Sequence, residues 1–151
     1  MNLRQPFLLP TLGRMLLGAI WIMGAVVNAV WTLPAATDAW ESLGDDATLA
    51  GYRWFFGTVV GTAPVFMTVL LIAGELALGA MLLSRDPWAE AGLVLSVAWC
   101  VFLFFIIWPS TLSTLVLLAL AGWLLRYDHD GSIVDLVRRQ GNHDSLHRAG
   151  A

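Results

Sequence analysis

The sequence predicts an all-α integral membrane protein, a bundle of four helices that cross the bilayer, and three observations predict it. Hydrophobic residues make up 58% of the 151 residues and charged residues only 13%, which is too apolar for an ordinary soluble domain. Long stretches with at most one charge follow one another, each able to cross a hydrocarbon core of roughly 30 Å as a helix. Polar or proline-containing segments separate them, which places the spans at about 12–33, 63–84, 90–108 and 110–126.

The first span is predicted to begin near Pro10 and to end near Leu33-Pro34, because no charged residue stands between Met15 and Thr37. Small or polar residues recur along one of its helical faces, at Arg14, Gly18, Trp21, Ala25, Asn28 and Thr32. Membrane helices present such residues to one another. This face is therefore predicted to point into the bundle.

The connection between the first two spans, residues 34–62, combines acidic residues with aromatic ones. The acids are Asp38, Glu41, Asp45 and Asp46, and the aromatics that follow are Tyr52, Trp54, Phe55 and Phe56. This composition is typical of a segment at the membrane surface. The segment either lies flat on that surface or caps the bundle.

The second span carries one acid, Glu75, near its centre. A carboxylate at this depth is costly in lipid, so it is expected to lie among other helices or in a water-filled cavity and to be either paired or protonated. It either handles protons or binds a ligand, or it is a structural acid hydrogen-bonded to Asn28, Thr68 or Arg14. Gly79 lies one turn further on and would let a neighbouring helix approach closely, as would Gly18.

The third and fourth spans come from one stretch, residues 91–125, that contains no charge. It is too long for a single span, and Trp108-Pro109-Ser110 interrupts it. Two spans joined by a tight turn are predicted.

The arginines predict the orientation. Seven of the eight lie in the amino terminus, at the Arg85 turn or in the tail, and only Arg53 lies in the long acidic connection. By the positive-inside rule both termini are cytoplasmic, with residues 1–126 as the membrane domain and 127–151 as a cytoplasmic tail. Membrane lipids are the expected surroundings. A net charge of −3 without a basic run argues against nucleic acid as a partner.

Other candidate residues each have two interpretations. Arg14 either pairs with Glu75 or an anionic head group, or simply anchors the span at the interface. Asn28 is expected to hydrogen-bond between helices rather than to bind a ligand. Trp21 and Trp99 either line a flat slot for a quinone or isoprenoid, with nearby phenylalanines, or serve as packing.

The sequence predicts no catalytic residues, no metal site and no haem. The single cysteine, Cys100, excludes an internal disulfide. The three histidines, His129, His143 and His147, all lie in the tail, so no membrane-embedded pair exists to hold a haem.

Two segments resemble the DoxX family of small four-helix bacterial membrane proteins. The stretch LGRMLLGAIWIMGAVVNAV is similar to that family's opening helix, in which an arginine is followed by a glycine one turn later. The stretch GELALGAMLLSR resembles its Glu-x-x-x-Gly helix. The resemblance rests on Arg14, Gly18, Glu75 and Gly79 and covers roughly residues 10–126. Asn28 stands where the family's lysine is expected, so no role for a cation there is implied.

The resemblance implies a bacterial inner-membrane protein that works with other membrane subunits. Family members are described as small subunits of redox systems, such as thiosulfate:quinone oxidoreductase and a mycobacterial assembly with superoxide dismutase and a sulfurtransferase. The expected function is therefore a non-catalytic or quinone-adjacent subunit of a membrane redox complex, with a quinone at a partner interface, and not an enzyme on its own. The alternatives are a transporter or channel for protons or a small solute, and a membrane assembly factor.

Overall fold

A computed structural model describes residues 8–106 and 112–127, with side chains for 9–104 and 114–127. All regular structure in these residues is helical, which confirms the predicted all-α class. The helices are α1 (Leu8–Val27), α2 (Ala36–Asp46), α3 (Ala50–Trp54), α4 (Pro64–Leu83), α5 (Trp88–Ile106) and α6 (Leu112–Leu124). Two π-helical segments, Asn28–Thr32 and Phe55–Val60, extend α1 and α3.

The four longest helices pack in a ring, in which α1 and α5 each contact both α4 and α6. A cluster of buried residues fills the interior, including Leu17, Leu82, Leu93 and Leu124. Neighbouring helices in the ring run in opposite directions. The start of α1, the end of α4, the start of α5 and the end of α6 therefore meet at one end, called here the arginine end. The opposite end, where α2 and α3 lie, is called the covered end.

Within the part of the chain that the structure describes, two helical segments are long and apolar enough to cross a membrane, Leu9–Thr32 and Pro64–Leu83. They coincide with the predicted spans 12–33 and 63–84. Apolar stretches below that length occupy Trp88–Phe104 in α5 and Thr114–Leu124 in α6. The predicted turn near Pro109 and the tail beyond 127 lie outside the described residues.

Helices α1 and α4 approach each other most closely at the predicted packing glycines. A Cβ atom added to Gly79 would lie 2.5 Å from Cγ1 of Ile22 and 2.9 Å from the carbonyl oxygen of Gly18. A Cβ atom on Gly18 would lie 3.2 Å from the carbonyl oxygen of Gly79. The two backbones therefore touch, which requires glycine on both helices.

The connection between α1 and α4 folds against the bundle. Its buried residues Ala47, Phe56 and Val60 form a second cluster, against which Met67 of α4 and Phe102 of α5 pack. This segment, residues 36–60, is called the cover below. Of the two arrangements that its composition allows, the structure has the one in which it packs onto the helices.

Candidate functional site

A hydrogen-bonded chain of three side chains joins α1 to the acid of α4. Nδ2 of Asn28 donates to Oε2 of Glu75 at 2.8 Å, and the hydroxyl of Thr32 donates to Oδ1 of Asn28 at 2.8 Å. Glu75 is only 8% exposed. Of the three partners predicted for this acid, the structure selects Asn28.

Local features of α1 make room for this contact. A Cβ atom on Gly24 would lie 3.2 Å from Oε1 of Glu75, so glycine allows the carboxyl group to lie against the helix. Asn28 begins the π-helical segment, in which the amide of Leu33 donates to the carbonyl oxygen of Asn28 at 2.8 Å. π-Helical turns are rare and often occur at functional sites. The wider turn sets the position of Asn28 above Glu75.

A cavity of about 760 Å³ lies between α4 and α5 and has Glu75 and Asn28 in its wall. It is called the α4–α5 cavity. One face of each helix lines it, with positions such as Leu71, Glu75 and Leu78 on α4 and Leu95, Trp99 and Phe102 on α5. The remaining lining residues are almost all apolar, and the cover forms the wall at the covered end. Its volume falls within the range of about 300–1,000 Å³ that is usual for small-molecule sites.

Aromatic rings form two walls of the α4–α5 cavity. On the cover, Trp40 stacks on Phe56 with ring centroids 5.7 Å apart. On α5, Trp99 lies 5.6 Å from Phe102, measured between centroids. The cavity therefore has aromatic side chains on two sides and one acid on a third.

The cover is fastened to α4 by a hydrogen bond from Trp40. Its indole Nε1 donates to the hydroxyl oxygen of Thr68 at 2.8 Å, and that hydroxyl donates to the carbonyl oxygen of Pro64 at 2.9 Å. Thr68 is fully buried. This bond holds one aromatic wall of the cavity in place.

We expect Thr68→Val to loosen the cover. Valine has the shape of threonine but cannot accept the hydrogen bond from Trp40, so about 1 kcal/mol of local stability should be lost. Hydrogen exchange of the detergent-solubilised protein should become faster in residues 36–60 and stay unchanged in α1. Thr58→Val, the same change at an exposed position of the cover, serves as the control. Equal exchange in both variants would show that the bond does not hold the cover.

The structure separates the other predicted site residues. Arg14 is fully buried at the arginine end, where it donates to the carbonyl oxygen of Ser84 at 2.5 Å. Ser84 is nine residues from Glu75, or roughly 13 Å along α4. Trp99 lines the α4–α5 cavity, whereas Trp21 belongs to the core cluster inside the ring and is not in the cavity wall. Of the alternatives left open for these residues, the structure therefore does not join Arg14 to Glu75 within the site, and it brings only Trp99 to the cavity wall, with Trp21 in the packed interior.

Sequence reasoning missed four residues that shape the site: Trp40, Thr68 as its partner, Gly24 and Gly74. Gly24 could have been found, because it lies one turn before Asn28 on the polar face of the first span. Gly74 lines the cavity, and a Cβ atom there would meet no other atom within 4 Å. No sequence pattern marks Trp40, which belongs to an acidic surface segment.

No protein-family model, curated protein or solved structure matches this chain. The chemistry of the site therefore carries the functional argument. Within residues 8–106 and 112–127, no group of three metal-binding side chains occurs. The arrangement is suited to binding an amphiphile, whose apolar body would lie against the aromatic walls and whose polar head would lie at Glu75.

Proposed function

We propose that this protein is a four-span integral membrane protein that binds a membrane-soluble amphiphile, as a DoxX-like, quinone-adjacent subunit of a membrane redox complex. α1, α4, α5 and α6 are the spans, and the cover lies at the outer membrane surface. The observation that carries the binding role is the α4–α5 cavity with Glu75 in its wall.

The distribution of polar and apolar side chains supports the membrane assignment. Among the side chains that the structure describes, four polar or charged ones are buried, namely Arg14, Thr68, Glu75 and Ser96. Large apolar residues are exposed along the outside of the ring, including Leu12, Leu16, Met23, Val65, Phe66 and Val116. Only 22% of the most apolar window of each long span is buried, unlike the core helix of a soluble protein. A soluble bundle would have the opposite pattern.

The arginines support the orientation. Arg14 lies near the start of α1, Arg85 between α4 and α5, and Arg126 just after α6, all at the arginine end. Arg53 lies in the cover. By the positive-inside rule this distribution supports a cytoplasmic arginine end. The proposed location is the plasma membrane, with both termini inside the cell.

The binding role predicts that filling the cavity will displace its ligand. Gly74→Leu places a large side chain at the cavity wall, where the space beside a Cβ atom is open. We expect the wild-type protein, purified from native membranes in mild detergent, to retain a quinone or another isoprenoid lipid together with partner subunits. The amount of that lipid, measured by mass spectrometry, should fall about tenfold in Gly74→Leu.

Gly122→Leu is the matched control, because Gly122 is also an exposed helical glycine with no atom within 4 Å of an added Cβ, and it does not line the cavity. It should retain the lipid at the wild-type level. If the wild-type protein carried neither a lipid in fixed ratio nor a redox partner, the proposed function would be abandoned. Equal loss in both glycine variants would place the lipid elsewhere.

A further inference from the structure

We propose that the α4–α5 cavity also binds an amphiphilic organic cation, whose charge lies beside the carboxylate of Glu75. This inference rests on the ligand-binding role proposed above and adds organic cations to the neutral isoprenoids as ligands of the same cavity. An ammonium or phosphonium group with an apolar body has the required chemistry. Three features of the site lead to it: the charge of Glu75, its neutral partner and the aromatic walls.

Glu75 faces no basic side chain among the described residues of the cavity wall. The hydrogen-bond partner of Glu75 is the neutral amide of Asn28. Arg14 bonds to Ser84 at the arginine end, and Arg53 donates to the carbonyl oxygen of Ala47 in the cover at 3.0 Å. A carboxylate away from water is stabilised by an opposite charge, which a cationic ligand would supply.

The aromatic walls favour a cation as well. The faces of tryptophan and phenylalanine rings carry negative partial charge and attract a cation within about 6 Å, most strongly when water is excluded. Trp40 and Phe56 on one wall and Trp99 and Phe102 on the other provide these rings. Weakly hydrated cations with bulky substituents lose little hydration when they enter such a site.

The hydrogen bonds of Asn28 hold the carboxyl group of Glu75 in the cavity wall. The Nδ2 of Asn28 donates to Glu75, and its Oδ1 accepts from Thr32. A cation would interact with the carboxylate and leave the Thr32–Asn28–Glu75 chain intact.

The test is the binding of radiolabelled tetraphenylphosphonium to the full-length protein in phosphatidylcholine nanodiscs. Neutral triphenylphosphine oxide is the uncharged competitor of similar shape. We expect Glu75→Gln to weaken binding by about tenfold or more, because the glutamine has no charge but can still accept from Asn28. Trp99→Leu should weaken it by roughly 3- to 30-fold, and Gly122→Leu should leave it unchanged.

The proposal is overturned if Glu75→Gln binds tetraphenylphosphonium within about twofold of the wild-type protein, or if the neutral oxide binds equally well. The thermal midpoint and elution profile of each variant are measured in parallel, and Trp99→Leu tests the same site if Glu75→Gln does not fold. A protein that retains a neutral isoprenoid sensitive to Gly74→Leu but ignores tetraphenylphosphonium would retain its proposed function and refute the cation. Failure of both probes would refute the cavity as a site.

Discussion

Gly79→Ala is expected to lower the free energy of unfolding by about 1–3 kcal/mol, the usual cost of inserting an extra group into a close-packed interior. The new Cβ atom would lie 2.5 Å from Cγ1 of Ile22 and 2.9 Å from the carbonyl oxygen of Gly18. The side chain of Ile22 can change its rotamer, but the backbone of Gly18 cannot move without shifting α1. The two helices must therefore separate.

The matched control is Gly74→Ala in the same helix. A Cβ atom at Gly74 would have no neighbour within 4 Å. Alanine should therefore leave stability unchanged or raise it by up to about 1 kcal/mol, since glycine is the weaker helix former. The two variants are compared by thermal unfolding in detergent, measured as the loss of monodisperse protein. Equal midpoints for Gly79→Ala and Gly74→Ala would mean that α1 and α4 do not touch at Gly79.

Asn28→Leu is expected to lower stability by about 1–2 kcal/mol. It removes the donor to Oε2 of Glu75 and leaves a buried carboxyl group without that partner. The value lies between the cost typical for hydrogen bonds to charged groups in soluble proteins and the smaller average measured between membrane helices. The variant also leaves Thr32 without its acceptor.

A double-mutant cycle with Glu75→Met measures the coupling between the two side chains. Replacing both partners by apolar residues of similar size should restore most of the stability, so the effects of the single variants should not add. A binding measurement on the same variants separates the structural role of Glu75 from its role in binding. The double variant should be stable and yet fail to retain the lipid that the wild-type protein carries. If the single effects simply add, the Asn28–Glu75 contact contributes nothing to the fold.

The contact between α1 and Glu75 was predictable from the sequence because helical spacing placed Arg14, Gly18 and Asn28 on one face. The sequence also indicated Gly18 and Gly79 as positions of close helix approach, but it did not pair them with each other. These inferences depend only on helix geometry and on the high cost of an unpaired acid in lipid.

The partner of Arg14 could not be predicted in the same way. Side-chain patterns suggest side-chain partners, so Glu75 was one of the partners considered. In the structure, Arg14 donates to the carbonyl oxygen of Ser84, just after the last turn of α4. The final carbonyl groups of a helix lack partners within it, and Arg14 satisfies one of them. Backbone acceptors of this kind leave no trace in a sequence.

The position of the cover could not be predicted from the sequence either, because it depends on contacts between residues that are distant in sequence. Trp40 belongs to the connection whose composition is typical of the membrane surface. In the structure it is half-buried, and its indole nitrogen donates to Thr68, 28 residues further along the chain. Trp31 and Trp54, by contrast, are 69% and 64% exposed. Local composition does not distinguish these tryptophans, and only the tertiary fold does.

The opening of the α4–α5 cavity determines how a ligand would reach it. Two of its lining residues, Leu70 and Leu95, are each about half exposed on the outer apolar surface of the ring. In a bilayer this side would open among acyl chains. Occupancy would then follow the mole fraction of ligand in the surrounding leaflet, and the aqueous concentration would matter only through partitioning. Doubling the lipid in an assay at constant total ligand would dilute the ligand as effectively as doubling the volume of water does for a soluble receptor.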